Sequence, residues 1–79
     1  MQSAEIYAKL TPIFRDLFDV PELVLCSRLT AQDVEGWDSL NHIRLVLSVQ
    51  KVFGLKFSAA ETGQLKNVGE LVQLIEAKL

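Results

Sequence analysis

The sequence predicts an all-α fold, a small bundle of four helices in which three helices are longer and one is short. Three observations predict this class. Apolar residues recur at intervals of three and four, as they do in helices that bury one face. Capping residues and glycines stand at the ends of these apolar stretches. No stretch of the sequence alternates apolar and polar residues as a half-buried strand would.

The first helix is predicted from about Ala4 to Phe18, with Ser3 as its N-cap. Pro12 lies inside this stretch, where it lacks a backbone N–H group and crowds the preceding turn. Two alternatives stay open: a kink at Pro12, or a helix whose stronger half opens at Thr11-Pro12. The apolar stripe of this helix consists of Ile6, Leu10, Ile13, Phe14, Leu17 and Phe18.

A long loop is predicted after the first helix. Asp19-Val20-Pro21 ends the helix, and residues 22–37 show no sustained period. Loops of this length in compact domains are usually packed against the core or functional. The side chains that we expect to fasten the loop to the core are Leu23, Val24, Leu25 and Leu29.

The second helix is predicted from Ser39 to Phe53, with Asp38 as its N-cap and Gly54 at its end. Helical spacing gives it a polar stripe of Asn41, Arg44, Ser48 and Lys51. Leu40 and Leu47 flank this stripe and are expected to remain partly exposed. The side chains expected to line the core here and in the last helix are Ile43, Val46, Val49, Phe53, Leu71 and Ile75.

Two local patterns predict the remaining helices. Ser58 with Glu61 three residues later is a capping box, which predicts a short third helix that ends near Gly63. Asn67 followed by Glu70 has the same pattern and predicts the last helix. The apolar residues of this helix are Val68, Leu71, Val72, Leu74 and Ile75.

Length and composition narrow the function. Seventy-nine residues make one domain, 1–79, with a thin core and a total stability of about 4 to 12 kcal/mol, which leaves little for a rigid catalytic site. The apolar runs are too short to cross a bilayer, and the first residues do not resemble a secretion signal. Cys26 is the only cysteine and is expected to pack as a small apolar residue. These features predict a cytoplasmic, monomeric protein that is not an enzyme.

The net charge of −2 is unevenly distributed. Residues 1–38 carry seven acidic and three basic side chains, whereas residues 39–60 carry three basic side chains and no acidic one. This basic middle is too small to attract nucleic acid strongly, since appreciable affinity for phosphates takes many contacts. It is large enough to influence the choice of a protein partner.

Ser39 is the candidate functional residue, because it stands in the first turn of a capped helix, where a phosphodiester is favoured by free N–H groups and by the helix dipole. The simpler alternative is that Ser39 is an ordinary polar residue at a helix start. A hydrolytic triad of Asp38, Ser39 and His42 is disfavoured, since Asp38 is expected to cap the helix and no glycine-rich loop supplies an oxyanion hole. His42 is expected to be a surface histidine.

The residues around Ser39 resemble the acyl carrier protein family. Residues 36–40, Gly-Trp-Asp-Ser-Leu, are similar to the family's attachment motif. Val46 to Leu55 resembles the end of the family's second helix, and Leu65 to Val72 resembles the start of its last helix. Residues 1–35 match the family in layout only, as a helix followed by a long loop.

The resemblance implies a carrier that catalyses nothing itself. Ser39 would hold 4′-phosphopantetheine, attached by a phosphopantetheinyl transferase, and Asp38 would both cap the helix and take part in recognition by that transferase. Acyl groups would be carried as thioesters on this arm and presented to the acyl-loading and acyl-processing enzymes of fatty acid-like, polyketide or other specialised biosynthesis. No metal site is implied.

The second helix departs from the common pattern of the family. Carriers of fatty acid synthesis typically show acidic residues here, whereas this chain has Arg44, Gln50 and Lys51. We therefore predict partners with neutral or acidic surfaces, which contact Leu40, Arg44, Leu47 and Lys51. A solvated face without a partner is the alternative. Trp37 before the aspartate is more similar to carriers of specialised pathways, although a tryptophan here can also be a loop anchor.

Two other functions remain open from the sequence. An aminoacyl or peptidyl carrier shares the attachment chemistry but receives its cargo from an adenylating enzyme. An unmodified helical adaptor would bind a protein through Leu40 and Leu47, with Ser39 as nothing more than a polar residue at a helix start.

Overall fold

The computed structural model describes residues 2–79, and within that range the chain forms four α-helices. Helix α1 runs over Ser3–Phe18, α2 over Ser39–Phe53, α3 over Ala59–Gly63 and α4 over Val68–Lys78. The described residues include no β-strand, so the predicted all-α bundle with three longer helices and one short helix is confirmed. The predicted helix bounds agree closely because most of the caps are local sequence patterns.

Helix α1 differs from its prediction at its start. The N-cap is Gln2, whose side chain makes no capping hydrogen bond, so the assignment of Ser3 as N-cap is wrong. The helix continues on both sides of the exposed Pro12, which rules out a helix that opens at Thr11-Pro12. It ends at Asp19, which takes the left-handed conformation with φ 55°.

The core lies between α1, α2 and α4, with one contribution from the loop between α1 and α2. Helix α1 contacts both other long helices, and its buried side chains occupy every turn from Ile6 to Phe18. Burial of such side chains is the dominant source of stability in a domain of this size. The buried core residues are Ile6, Leu10, Phe14, Phe18, Val34, Leu45, Val49, Val68, Leu71, Val72 and Ile75.

The loop of residues 19–38 is packed against this core, as predicted, but not by all of the predicted side chains. Leu23, Leu25 and Leu29 are partly buried against the core. Val24 is 76% exposed, so its assignment as a loop anchor is wrong, and Val34 is fully packed instead. The segment has no regular period, and its sequence therefore does not indicate which side chains turn inward.

The same loop is joined to the start of α4 through the backbone. Val68 N–H donates to the carbonyl of Leu29 at 2.9 Å, and Gly69 N–H donates to the carbonyl of Ser27 at 3.0 Å. These donors belong to the first turn of α4, which has no acceptors for them within the helix. A Cβ atom on Gly69 would lie 3.0 Å from the Ser27 carbonyl oxygen, so the close approach requires glycine.

Helix α2 confirms part of the predicted core set, since Val49 is buried and Phe53 packs against the core, and departs from it elsewhere. Leu45 and Val49 are buried, whereas Ile43 is 58% exposed and its assignment to the core is wrong. Asn41 and Ser48 are half-buried, so the predicted polar stripe is not uniformly exposed. The exposed face of α2 consists of Leu40, Ile43, Arg44, Leu47 and Lys51.

Helix α3 has no buried residue and is held mainly by its ends. The predicted capping box is present: Ser58 Oγ accepts from Glu61 N–H at 3.1 Å, and the Glu61 carboxylate accepts from Ser58 N–H at 2.8 Å. The same carboxylate pairs with Lys78 of α4 at 3.0 Å. Before the helix, Phe57 N–H donates to Gln50 Oε1 of α2 at 2.8 Å.

At the start of α4 the cap is the predicted Asn67, whose Oδ1 accepts from Glu70 N–H at 2.8 Å. The Glu70 carboxylate accepts from Lys66 N–H at 2.7 Å. In a capping box it would accept from the N–H of Asn67, the next residue.

Two further findings concern the surface. Cys26 is exposed, so the expectation that it packs as a small apolar residue is wrong. No helix in residues 2–79 combines the length and the apolar character needed to span a membrane.

Candidate functional site

The start of α2 is capped by Asp38. Its backbone is extended, with φ −106° and ψ −173°, and its Oδ1 accepts from Asn41 N–H at 2.9 Å. The carbonyl of Asp38 accepts the first helical hydrogen bond, from His42 N–H at 2.8 Å. This is the geometry in which an aspartate stabilises both the free N–H groups and the positive end of the helix dipole.

A tight turn at Gly36 brings the chain to this cap. Gly36 has φ 90°, and its carbonyl accepts from both Asp38 N–H at 2.9 Å and Asn41 Nδ2 at 2.7 Å. An L side chain rarely adopts this φ, so glycine is the residue that the turn requires. The two bonds join the end of the loop to the first turn of α2.

Trp37 anchors the turn to the core. Its ring packs edge-on against Phe14, with centroids 5.3 Å apart at 81°, and against Phe18 at 5.9 Å. Its backbone N–H donates to the carbonyl of the loop residue Val34 at 3.2 Å. These contacts agree with the interpretation of Trp37 as a loop anchor, and such aromatic pairs add stability beyond the area they bury.

His42 is not the surface histidine that the sequence predicted. It is half-buried, and Trp37 Nε1–H donates to its Nδ1 at 3.1 Å. On the other side of the ring, Nε2 lies 3.0 Å from the carbonyl oxygen of Thr62 in α3. An indole nitrogen only donates and a carbonyl oxygen only accepts, so in this arrangement Nδ1 is the acceptor and Nε2–H is the donor.

The sequence contained a signal for this position of His42. At helical spacing, His42 is on the same side of α2 as Val49 and Phe53, which pack inward. A histidine on an apolar side of a helix needs hydrogen-bond partners, because a buried polar group without one is costly. The preceding tryptophan and the turn after α3 supply them.

Ser39 itself is exposed and is the first residue of α2. The N–H groups of Ser39 and Leu40 come before that of Asn41, which bonds to the Asp38 side chain. A helix offers these two N–H groups no internal acceptor. A shallow depression opens beside Ser39, between the end of the loop and the segment after α3. It is lined by Ala31, Trp37, Asp38, Ser39, His42, Gly63 and Leu65.

This arrangement does not form a hydrolytic triad. Asp38 faces Asn41 N–H, and both nitrogens of the His42 ring are engaged by Trp37 and Thr62. No ring nitrogen is left to take a proton from Ser39, as a general base must. Within residues 2–79 there is also no group of three or more histidine, cysteine and acidic side chains placed to hold a metal ion.

The site is flanked by the exposed face of α2. Leu40, Ile43 and Leu47 are 58%, 58% and 57% exposed, so three large apolar side chains lie in a row from the Ser39 end of the helix. Arg44 and Lys51 are exposed beside them. The prediction that Leu40 and Leu47 stay exposed is confirmed, and Ile43 extends the apolar part of this face.

The relatives found by comparison with known proteins share one description. No family model matches the chain. The acyl carrier protein of Coprothermobacter proteolyticus is 33% identical over 79 residues, which is all of this chain and 96% of that protein. The acyl carrier protein of Thermotoga maritima is 32% identical over 95% of this chain and 93% of its own. That of Thermosynechococcus vestitus is 30% identical over 100% of this chain and 98% of its own.

A solved structure shows the same fold. The solution NMR structure of a holo acyl carrier protein from Geobacter metallireducens superimposes with a TM-score of 0.84 and 42% sequence identity. The match covers 91% of this chain and 83% of that protein. At this identity the likeness extends beyond the fold to the family.

These similarities confirm the main predictions from the sequence. Acyl carrier proteins hold acyl groups on 4′-phosphopantetheine, are modified by a phosphopantetheinyl transferase and serve acyl-processing enzymes without catalysing a reaction themselves. The sequence identity extends over the whole chain, and the fold agrees with that of a holo carrier. The chain belongs to the acyl carrier protein family.

Proposed function

We propose that Ser39 is the residue to which 4′-phosphopantetheine is attached, and that residues 1–79 act as one carrier domain. The observation that carries this proposal is the exposed Ser39 at the first position of a capped helix, within the Gly-Trp-Asp-Ser-Leu motif. Free N–H groups and the helix dipole favour a phosphodiester there. The open depression beside Ser39 leaves room for the group.

The chain's contribution to the attachment reaction is the Ser39 hydroxyl. Its oxygen forms a bond to the phosphorus of the pantetheine phosphate of coenzyme A, while the bond from that phosphorus to the departing adenosine bisphosphate breaks and the hydroxyl proton is lost. His42 is occupied by Trp37 and Thr62, so the base that takes this proton belongs to the transferase. The attached arm supplies a thiol that holds acyl groups as thioesters.

The test of the attachment site is intact-mass analysis after incubation with a broad-specificity phosphopantetheinyl transferase and coenzyme A. The wild-type chain gains the mass of one phosphopantetheine, and Ser39→Ala gains none. Ser58→Ala is the matched control, because Ser58 also stands at a helix start but lies outside the motif. An unmodified wild type, or full modification of Ser39→Ala, overturns the proposal and favours an unmodified helical adaptor.

Asp38 has two proposed roles, capping of α2 and recognition by the transferase, and two substitutions separate them. Asp38→Asn keeps a capping side chain without the charge, whereas Asp38→Ala removes both. Loss of the cap lowers the free energy of unfolding by about 1 kcal/mol. Asp38→Asn is expected to be more stable than Asp38→Ala, and if the carboxylate also serves the transferase it is modified more slowly than the wild type. Equal modification rates for Asp38→Asn and the wild type would leave Asp38 as a cap only.

The exposed face of α2 is the proposed docking surface for partner enzymes. It combines apolar side chains, Leu40 and Leu47, with Arg44 and Lys51, and α2 carries no acidic residue. Like charges across an interface are costly, so this face suits neutral or acidic partner surfaces. Ile43, exposed next to Leu40 and Leu47, adds to the same surface.

A transfer assay tests this docking surface. With a malonyl transferase of fatty acid synthesis that presents a basic patch, the wild-type holo chain is loaded slowly. The double variant Arg44→Glu/Lys51→Glu is loaded faster, and the gain shrinks as the salt concentration rises. Arg28→Glu, which reverses an exposed charge on the loop outside α2, is the control. Efficient loading of the wild type contradicts the proposed partner class.

The cargo is proposed to be an acyl group of fatty acid-like, polyketide or other specialised biosynthesis. The names of the relatives support an acyl carrier rather than an aminoacyl or peptidyl carrier. A loading assay that offers fatty acyl, malonyl and aminoacyl donors with their loading enzymes compares these classes directly. Loading by an amino acid alone would overturn the acyl assignment.

A further inference from the structure

His42 connects the end of the loop, five residues before it, with α3, where its partner is twenty residues after it. Trp37 at the end of the loop donates to Nδ1, and Nε2–H donates to the carbonyl of Thr62 in α3. The indole and imidazole rings are nearly parallel, at 15°, with centroids 6.2 Å apart. Trp37 is in turn fixed on Phe14 and Phe18 of α1. A continuous line of contacts therefore runs from the core to α3.

Helix α3 depends on such polar links, because it has no buried side chain of its own. Within residues 2–79, the other polar links between this region and the long helices are the partly exposed ion pair between Glu61 and Lys78 and, just before α3, the bond from Phe57 N–H to Gln50. An exposed ion pair contributes little to stability. The bond to His42 is the link nearest to Ser39, and it joins α2 to the last full turn of α3.

His42 also stands between two recesses of the surface. On one side is the depression beside Ser39, which the ring shares with Gly63 and Leu65. On the other side is a cleft between α2 and α3 with mostly apolar walls, which include Val46, Phe57 and Thr62. Both recesses have His42 as a wall, and its partner Thr62 lines the cleft.

We propose that His42 is a positioning residue, a strut that holds α3 against the start of α2 and separates the depression at Ser39 from the apolar cleft behind it. The strut is a property of the unmodified chain. All tests are therefore made in the Ser39→Ala background, where their outcome does not depend on the proposed attachment of phosphopantetheine.

Two substitutions of His42 each keep one of its two hydrogen bonds and remove the other. In His42→Asn, the amide oxygen takes a place near that of Nδ1, so it can accept from Trp37 but cannot reach Thr62. In His42→Gln, the longer amide places an N–H group near that of Nε2, so it can donate to Thr62. Ser48→Ala on the same helix is the control for a polar deletion remote from α3.

Amide hydrogen exchange of Thr62 reports the link to α3, because this N–H is bonded to Ser58 within the helix. Loss of one hydrogen bond is expected to lower its protection factor about 3- to 10-fold in His42→Asn. His42→Gln and Ser48→Ala are expected to stay within about twofold of the starting protein. An unchanged protection factor in His42→Asn overturns the proposal.

Hydrogen exchange of the Trp37 indole N–H is expected to respond to the two variants in the opposite way to that of Thr62. A general loss of folding would lower the protection of both groups. The indole N–H stays protected in His42→Asn and loses protection in His42→Gln. Equal loss of indole protection in both variants would contradict the proposed division of the two hydrogen bonds.

A dye that binds apolar clefts through its aromatic rings, such as the anionic anilinonaphthalene sulfonate, tests the separation of the two recesses. The dye is expected to shift the backbone resonances of Val46 and Phe57 in His42→Asn and to leave them unchanged in His42→Gln. Equal shifts in both variants would show that the Thr62 bond does not control the cleft and would overturn that part of the proposal.

Discussion

Gly36, Trp37 and Asp38 place Ser39 by three different physical means. Gly36 makes the turn with φ 90°, Trp37 fixes it on the aromatic side chains of α1, and Asp38 caps the helix that follows. The roles of glycine and aspartate follow from their residue types and could be predicted from the sequence. The bond from Trp37 to His42 could not, because it depends on how the loop approaches α2 in three dimensions.

Gly36→Ala tests whether the turn before Ser39 depends on the positive φ of Gly36. A Cβ atom would have room, since its nearest neighbour, Phe18 Cδ1, is 3.8 Å away, so the cost comes from the backbone conformation alone. We expect the free energy of unfolding to fall by about 1 to 2 kcal/mol in urea denaturation. Gly63→Ala is the control, because it lies in α3 with open space around it and is expected to be neutral or stabilising. Equal losses in both variants would contradict the role of φ at Gly36.

At the scale of elements, the helices could be predicted better than the loop because helix ends are marked by local chemistry. Asp38, Ser58 and Asn67 each cap a helix with their own side chain, and Gly54 ends α2 with φ 67°. The start of α1 lacks a side-chain cap, and there the prediction failed. Which side of α2 faces the core depends on packing against α1, so the sequence assigned Ile43 to the core and missed Leu45.

The stability that Glu61 contributes at helix α3 is expected to depend on pH. Its carboxylate accepts from Ser58 N–H and pairs with Lys78, and both contacts hold the pKa of Glu61 below its usual range. Because the pKa is lower in the folded state, the stabilisation is present above the pKa of the unfolded chain and is lost as the pH falls through the lower folded value. Glu61→Gln is therefore less stable than the wild type at pH 7.

Urea unfolding at two pH values checks whether the stabilisation by Glu61 is lost as the pH falls. The difference between the wild type and Glu61→Gln is expected at pH 7 and should close well below about pH 4, where carboxylates of unfolded chains are protonated. Glu76→Gln removes an exposed carboxylate from α4 and is the control for lost charge. The same difference at both pH values would show that the carboxylate charge is not responsible.

At the scale of the whole molecule, stability depends on a few buried side chains. Residues 2–79 have eleven buried apolar residues, and Phe14 is among the largest. Phe14 also contacts Phe18, with ring centroids 5.7 Å apart, and supports Trp37. A domain of this length has only about 4 to 12 kcal/mol of stability, so one core substitution removes a large part of it.

Phe14→Leu is expected to lower the free energy of unfolding by about 1 to 2 kcal/mol, since it keeps an apolar side chain but loses two aromatic contacts. The fluorescence of Trp37, the only tryptophan, follows the urea transition. Val24→Ala is the control, because Val24 is the most exposed of the large apolar side chains, and it should change stability by less than about 0.5 kcal/mol. A neutral Phe14→Leu would show that the aromatic cluster contributes little.

The backbone bonds between the loop and α4 have a consequence for synthesis of the protein. The carbonyls of Ser27 and Leu29 meet their donors only when Val68 and Gly69 have been made, and α4 also supplies core residues up to Ile75. A ribosome makes the chain from its N-terminus, so Ser39 leaves it well before these partners do. The backbone bonds that fix this part of the loop therefore form only when α4 has emerged from the ribosome.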